Sequence, residues 1–142
     1  MKKLISVVTP AYNEAANLEE LARQLKKVFA QNRRYLFEVI VVENGSSDNS
    51  IDILNKIRRQ DKRFKILQLA KNFGCDGGLT AGLQFAQGDA AVIMMADLQD
   101  PPHIVSKFLR KWEQGFDIVY AVIKQRQGTS GLRNFKDRKS TR

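Results

Sequence analysis

Residues 90–102 read Ala-Ala-Val-Ile-Met-Met-Ala-Asp-Leu-Gln-Asp-Pro-Pro, and this stretch decides the predicted fold. Its apolar first part, residues 90–95, is typical of a buried strand in a parallel sheet. Oxygen-bearing side chains follow at Asp97, Gln99 and Asp100, and the two prolines after them favour the start of a helix. Because open α/β sheets bind ligands at the carboxyl ends of their strands, this turn is predicted to be a binding site on a central strand.

The oxygen atoms of Asp97 and Gln99 are hard donors of the kind that Mg²⁺ and Mn²⁺ prefer. The sequence therefore predicts a divalent metal at these two side chains, with a diphosphate held through the ion. The competing interpretation is an ordinary strand-to-helix turn in which an aspartate caps the helix.

The rest of the chain alternates strand and helix patterns, which indicates a right-handed parallel α/β sheet. The predicted strands cover residues 4–9, 37–42, 65–69, 90–95 and 116–122. Pro10 is predicted to end the first strand, and Asn17 to open the first helix in a capping box with Glu20. The pattern stops after Val122, so we predict a core domain over residues 1–123 and a basic loop or disordered tail over 124–142.

The composition is typical of one globular domain. The chain has 142 residues, of which 43% are apolar, enough to build a single core. The single cysteine, Cys75, excludes an internal disulfide and is typical of a reducing compartment. No signal peptide is recognisable, and no apolar run approaches the roughly 18–20 residues that span a bilayer. A cytoplasmic location is therefore predicted.

The net charge of +9 is concentrated in the last nineteen residues, where seven basic residues face one acidic residue. Such a tail favours phosphates, anionic lipid surfaces or nucleic acid. Phe135 is the one aromatic residue among these charges, so the tail lacks the stacking platform of a single-strand binder. Nucleic acid is therefore the weakest of the partner classes, and none is predicted.

Polar residues follow three of the predicted strands, at 12–14, 43–46 and 97–100. In a parallel sheet these strand ends share one edge, where acidic groups need a cation or a hydrogen-bonding ligand to offset their repulsion. The turn after the first strand contains no glycine, which excludes both the dinucleotide fingerprint and a phosphate loop there. A ligand whose phosphates are held through a metal is the remaining prediction.

Four motifs together resemble family 2 inverting glycosyltransferases: residues 10–14 (Pro-Ala-Tyr-Asn-Glu), 42–48 (Val-Glu-Asn-Gly-Ser-Ser-Asp), 71–74 (Lys-Asn-Phe-Gly) and 96–102. They are most similar to the polyprenyl-phosphate branch, which includes dolichol-phosphate mannose synthase and the bactoprenol glucosyltransferases. The resemblance implies a GT-A fold, a three-layer α/β/α architecture with a mostly parallel sheet. It also implies metal-assisted, inverting transfer of a hexose from a UDP- or GDP-sugar to a polyprenyl phosphate.

The resemblance also implies roles for individual residues. Contacts to the nucleotide are implied for Pro10, Tyr12, Glu14, Glu43 and Asn72. Glu43 stands where the family has an aspartate that accepts a hydrogen bond from the base. Asp97 and Gln99 match the metal and diphosphate ligands, and Arg126 lies near the family's phosphate-contacting basic residues.

Two departures from the family pattern qualify this prediction. Met95 replaces the first carboxylate of an Asp-x-Asp motif, and Glu-Asn-Gly-Ser replaces Asp-Asp-Gly-Ser. The family's catalytic domain also extends further, which predicts an incomplete acceptor-side half here. The full-length protein is expected at the cytoplasmic face of the membrane, and an open sheet edge would allow a homo-oligomer. The alternative is a non-catalytic nucleotide-sugar-binding module or an inactive fragment.

Overall fold

A computed structural model describes residues 1–122, in which strands and helices alternate. The elements are β1 (Leu4–Ala11), α1 (Ala15–Gln31), β2 (Leu36–Glu43), α2 (Ser50–Gln60), β3 (Phe64–Gln68), α3 (Gly74–Gln84), β4 (Ala90–Ile93) and α4 (Val105–Glu113). A 3₁₀ turn over Pro102–Ile104 leads into α4. The strand order is β3-β2-β1-β4 and every pair is parallel, which confirms the predicted parallel α/β class.

The helices lie on both faces of the sheet. The connections from β1 to β2 and from β2 to β3 run in one direction along the sheet, whereas the connection from β3 to β4 runs back past β1. Because such connections are right-handed, α3 lies on the face opposite α1 and α2. The packing of α3 shows how closely it lies on its face. A Cβ added at Gly82 would lie 2.5 Å from Val8 Cγ1 and 2.8 Å from Val42 Cγ2. The three-layer α/β/α prediction is therefore confirmed.

The core centres on β1 and β2 and on one face of α1. Almost all residues of the two strands are buried, as expected for strands covered on both faces. The buried side chains of α1 recur at helical spacing and are Leu18, Leu21, Ala22, Leu25, Val28 and Phe29. Within residues 1–122, no helix combines the length and the apolar character that a membrane crossing requires.

Pro10 does not end β1, contrary to the prediction. It remains within the strand and is in register with Val42 of β2. The ladder between β1 and β4 stops at Val8, so the missing N–H of Pro10 leaves no β4 hydrogen bond unmade.

The predicted capping box of α1 is also wrong, because the helix begins at Ala15, two residues before Asn17. The Asn17 amide instead donates to Glu14 Oε2 at 2.7 Å. The carboxylate of Glu20 accepts hydrogen bonds from Arg23 and Gln24 further along the helix.

The β4 strand is not central in the part of the sheet that residues 1–122 form, but lies at its edge. Ile93 is 50% exposed, whereas a buried strand was predicted. An apolar run indicates a strand but carries no information about the neighbours that the strand will have. The position of β4 therefore comes from the topology and not from its composition.

The predicted fifth strand over residues 116–122 is not formed. Ile118, Tyr120 and Val122 are each more than 70% exposed, so the alternating pattern has no buried face. A strand requires a hydrogen-bonded partner, which the alternation alone cannot supply. The chain divides into two compact units, residues 1–109 and 110–142, and the sheet and the candidate site belong to the first.

Candidate functional site

The loops after β1 and β2 are joined by hydrogen bonds through Asn13. This residue has a φ of 55°, a left-handed conformation that asparagine tolerates better than most residues. Its backbone N–H donates to Ser46 Oγ at 3.0 Å, and its Oδ1 accepts from the Ser47 N–H at 2.8 Å. Two of the segments predicted to contact a nucleotide therefore form one continuous surface.

Asp48 strengthens the same connection. Its Oδ2 accepts from the Ala15 N–H at 3.1 Å, and its Oδ1 accepts from the Ser50 N–H at 3.0 Å. The hydrogen bond with the Ser50 side chain lowers the pKa of Asp48 most; slight burial opposes this, and the N–H groups of Ala15 and Ser50 also lower it. The carboxylate is therefore charged at neutral pH and holds the start of α1 against the β2–α2 loop.

Asn44 connects a third loop and is the residue that the sequence analysis missed. Its side chain is buried; Oδ1 accepts from the Phe73 N–H at 3.0 Å, and Nδ2 donates to the Gly74 carbonyl at 2.8 Å. Its backbone N–H donates to the Ala11 carbonyl. Only an amide can accept and donate in this way, because an ionised aspartate has no proton to give. Asparagine in the Glu-Asn-Gly-Ser motif was the available signal.

Gly45 allows the third loop to approach. It has a φ of +72°, and an added Cβ would lie 2.6 Å from the Lys71 carbonyl carbon and 2.7 Å from the Asn72 nitrogen. The predicted contact residue Asn72 is thus placed beside the β2–α2 loop. Its Oδ1 accepts from the Gly74 N–H at 2.8 Å, so the side chain shapes the turn that opens α3.

Glu43 ends β2 with a carboxylate at the carboxyl edge of the sheet, and the residue is 2% exposed. Its Oε1 accepts from the Ser46 N–H at 2.6 Å, which fixes the side chain. Among residues 1–122, no hydrogen bond to Oε2 is found, so this oxygen remains available to a donor group on a ligand.

The predicted residues of the first motif differ in accessibility. Pro10 is buried within β1, whereas Tyr12 is 46% exposed and can present its ring to a ligand. Glu14 lies at the start of α1, where its Oε2 accepts from Asn17. The structure therefore brings Tyr12, Glu14 and Glu43 to one edge of the sheet.

Asp97 and Gln99 lie in the turn after β4, beside the position where the strand order reverses between β1 and β4. Asp97 Oδ1 accepts from the Gln99 N–H at 3.1 Å, and Leu98 between them has a left-handed φ of 61°. None of the hydrogen bonds or ion pairs described for residues 1–122 joins this turn to the other three loops. The crevice at such a reversal is where open α/β sheets bind ligands.

The donor set for a metal is small. Within residues 1–122, no three histidine, cysteine, aspartate or glutamate side chains are grouped so that they could hold a metal ion. Mg²⁺ is commonly held by one or two carboxylates together with substrate phosphates. One carboxylate at Asp97, with a second oxygen ligand from Gln99, fits such a shared site but not an all-protein cage.

The turn after β4 also meets α3, since Cys75 Sγ lies 3.8 Å from Met95 Sδ. A thioether therefore occupies the position that the resemblance gives to a first carboxylate. Arg126, the remaining predicted site residue, lies outside the described residues.

Comparison with known protein families identifies the chain. The profile described as Glycosyl transferase family 2 matches residues 6–141. The chain belongs to glycosyltransferase family 2. The predicted family is confirmed.

Curated relatives share this family across most of the chain. The chain is 42% identical over 123 residues to the uncharacterized glycosyltransferase YkcC of Bacillus subtilis (strain 168), covering 87% of this chain and 38% of that protein. It is 36% identical over 132 residues to the undecaprenyl-phosphate 4-deoxy-4-formamido-L-arabinose transferase of Pseudomonas syringae pv. syringae (strain B728a), covering 92% and 39%. The chain thus spans about two fifths of the length of these family 2 relatives.

Solved structures confirm the GT-A fold. The mannosyltransferase PcManGT from Pyrobaculum calidifontis, in complex with GDP-Man and Mn²⁺, is similar with a TM-score of 0.66 and 23% identity, over 79% of this chain and 32% of that one. S. aureus TarS 1-349, in complex with UDP-GlcNAc, is similar with a TM-score of 0.61 and 23% identity, over 88% and 37%.

Proposed function

We propose that this chain is the donor-binding part of a glycosyltransferase that moves a hexose from a UDP- or GDP-sugar to a polyprenyl phosphate. The observation that carries the proposal is the position of Asp97 at the strand-order reversal, on the sheet edge that also holds Glu43. The Asp97 carboxylate can bind a metal ion and, through it, a diphosphate. The Glu43 carboxylate can accept a hydrogen bond from a nucleotide base. The GDP-Man and Mn²⁺ of PcManGT and the UDP-GlcNAc of TarS support this class of donor.

Each residue in this proposal has one role. The free Oε2 of Glu43 accepts a hydrogen bond from an N–H of the base, while the exposed ring of Tyr12 packs against it. Asp97 and Gln99 hold a divalent ion, Mg²⁺ or Mn²⁺, together with the diphosphate oxygens. When bound, such an ion stabilises the negative charge that develops on the leaving diphosphate.

The proposed acceptor explains the absence of an obvious base in the motifs. A polyprenyl phosphate is already anionic, so its oxygen can attack the anomeric carbon in line without a strong general base. Inversion at that carbon follows from the in-line attack. The undecaprenyl phosphate in the name of the Pseudomonas relative supports this acceptor class. A site of action at the inner face of the cell membrane, with Arg126 near the phosphates, completes the proposal.

Calorimetric titration of the chain with UDP-glucose and GDP-mannose, each with and without Mn²⁺, tests the proposal. We expect one donor to bind in a metal-dependent way. Asp97→Ala should weaken that binding about tenfold or more, because a lost charged ligand costs at least ~1.4 kcal/mol. Asp100→Ala, which removes the same charge three residues further along the turn, is the matched control and should bind as the unmodified chain does.

Two outcomes would contradict the proposal. An Asp97→Ala variant that binds the donor as tightly as the unmodified chain would show that the metal lies elsewhere. Binding of neither donor would remove the donor-binding function.

A UDP-activated arabinose derivative should be titrated as a third donor, because the sugar named for the Pseudomonas relative is an arabinose.

A non-catalytic nucleotide-sugar-binding module is the second candidate function. The thioether of Met95 in place of a carboxylate, and the small donor set around Asp97, favour it. Tight donor binding with neither sugar transfer to a polyprenyl phosphate nor donor hydrolysis would identify this function.

A further inference from the structure

A groove of about 770 Å³ opens at the amino-terminal edge of the sheet, the edge opposite the candidate donor site. It lies between the starts of the strands and the last turns of α1. Phe29 of α1 and Phe37 of β2 are stacked with ring centroids 4.4 Å apart, and Tyr35 meets Phe37 edge-on. These buried rings underlie the floor of the groove, to which Leu36, 54% exposed, adds accessible apolar surface. We call it the amino-edge groove.

The walls of the amino-edge groove are strongly basic. Its lining contains six cationic side chains and one carboxylate: Lys2, Lys26, Arg33, Lys62, Arg63, Lys65 and Glu38. Two of the cations are already paired, Lys65 with Glu38 and Arg63 with Asp61, each at 2.6 Å. The other four have no carboxylate within ion-pair distance in the described part of the chain: Lys2, Lys26, Arg33 and Lys62.

Lys2 and Arg33 donate to backbone carbonyls, and Lys26 lies 5.9 Å from the centroid of the Phe64 ring, so these side chains keep a positive charge that an anion would offset. Phe29 and Phe37 are each less than 10% exposed and hold the shape of the floor. An anion with an apolar or aromatic part would contact both the floor and the charged rim.

We propose that the amino-edge groove is a second binding site, for a phosphorylated small molecule that carries an aromatic or apolar group. Its volume lies within the range of about 300–1,000 Å³ typical of small-ligand pockets. Several separate lysine and arginine side chains suit more than one phosphate oxygen. Residues 124–142 do not suit the groove, since they carry the same sign of charge.

Titration of the 142-residue chain with ATP and with inorganic pyrophosphate tests this site. We expect ATP to bind more tightly than pyrophosphate, because only ATP offers an aromatic group to the floor. Both should bind more weakly as the salt concentration rises. Asp97→Ala should leave ATP binding unchanged, because the two sites lie at opposite edges of the sheet.

A pair of double variants isolates the groove. Lys26→Gln with Arg33→Gln removes two charges of the rim and should weaken ATP binding about tenfold or more. Lys27→Gln with Arg58→Gln removes the same net charge from exposed positions that do not line the groove, and should leave the affinity within about twofold.

Several results would overturn the proposal. The groove is not the site if both double variants lose affinity equally, or if Asp97→Ala abolishes ATP binding. Binding to vesicles of phosphatidylglycerol without binding of ATP or pyrophosphate would show a lipid surface instead. No binding of any of these probes would remove the site altogether, whatever the result for the donor sugars.

Discussion

Substitution of Gly45 and of Gly74 by alanine allows backbone strain and steric clash to be measured separately. Gly45 has a φ of +72°, and its α-carbon faces the backbone of Lys71 and Asn72. Gly74 has nearly the same backbone conformation, with a φ of +76°, but an added Cβ would meet nothing within 4 Å. Gly45→Ala and Gly74→Ala therefore share the backbone strain, and only the first adds a steric clash.

The magnitudes follow from these contacts. An alanine in the left-handed backbone conformation lowers the free energy of unfolding by about 1–2 kcal/mol relative to glycine, and this is the full effect expected of Gly74→Ala. At Gly45 the new Cβ must displace the backbone of residues 71–72, since the contacts of 2.6–2.7 Å involve no flexible side chain. That shift breaks the Phe73 hydrogen bond to Asn44 and leaves a buried amide unsatisfied, at about 1–3 kcal/mol. Gly45→Ala should therefore destabilise the fold by about 2–5 kcal/mol.

Urea unfolding of both variants and the unmodified chain measures the difference. We expect Gly45→Ala to lower the free energy of unfolding by about 2 kcal/mol more than Gly74→Ala does. It should also weaken binding of whichever donor the unmodified chain takes, because the three loops no longer fit together. Equal destabilisation by the two variants would refute the close approach of the β2–α2 and β3–α3 loops.

Two further predictions concern packing and pH. Gly82→Ala places a methyl group 2.5 Å from Val8 Cγ1. It should destabilise the fold by about 1–2 kcal/mol in thermal unfolding, because overpacking outweighs the gain in helix propensity. The control Thr80→Ala, on the exposed side of α3, should change the stability by no more than about 0.5 kcal/mol. Burial raises the pKa of Glu38, but hydrogen bonds from Lys65 and neighbouring groups lower it below its ordinary value of 4.5. The ionised Glu38 carboxylate therefore stabilises the fold above pH 4.5, and this stabilisation is lost as the pH falls through the lowered pKa of the folded state. Glu38→Gln should flatten the acid side of a plot of unfolding free energy against pH. An unchanged plot would contradict the pairing of Glu38 with Lys65.

Much of the fold could be predicted because its signals are local. Apolar runs located β1, β2 and β3 to within two residues. The parallel topology followed from the alternation of the elements. What failed depended on partners: the alternating residues 116–122 have the side chains of a strand, but among residues 1–122 no strand pairs with them.

The candidate site shows the same division. The positions of Glu43 and Asp97 could be predicted because polar residues directly after apolar runs lie at one sheet edge. The role of Asn44 could not, because its partners at residues 73–74 come near only after α2 and β3 have formed. In the sequence it differs from an aspartate by one amide group, which is the group that the fold uses.

The hydrogen bonds of Asn13, Asp48 and Asn44 also limit how this chain can be redesigned. Because they join loops that follow different strands, exchange of one loop alone removes partners from the others unless the new loop carries the same donors and acceptors. A chimera that swaps residues 43–50 alone would have to keep the side chains of Asn44, Ser46 and Asp48. Transfer of the three loops together as one unit avoids this constraint.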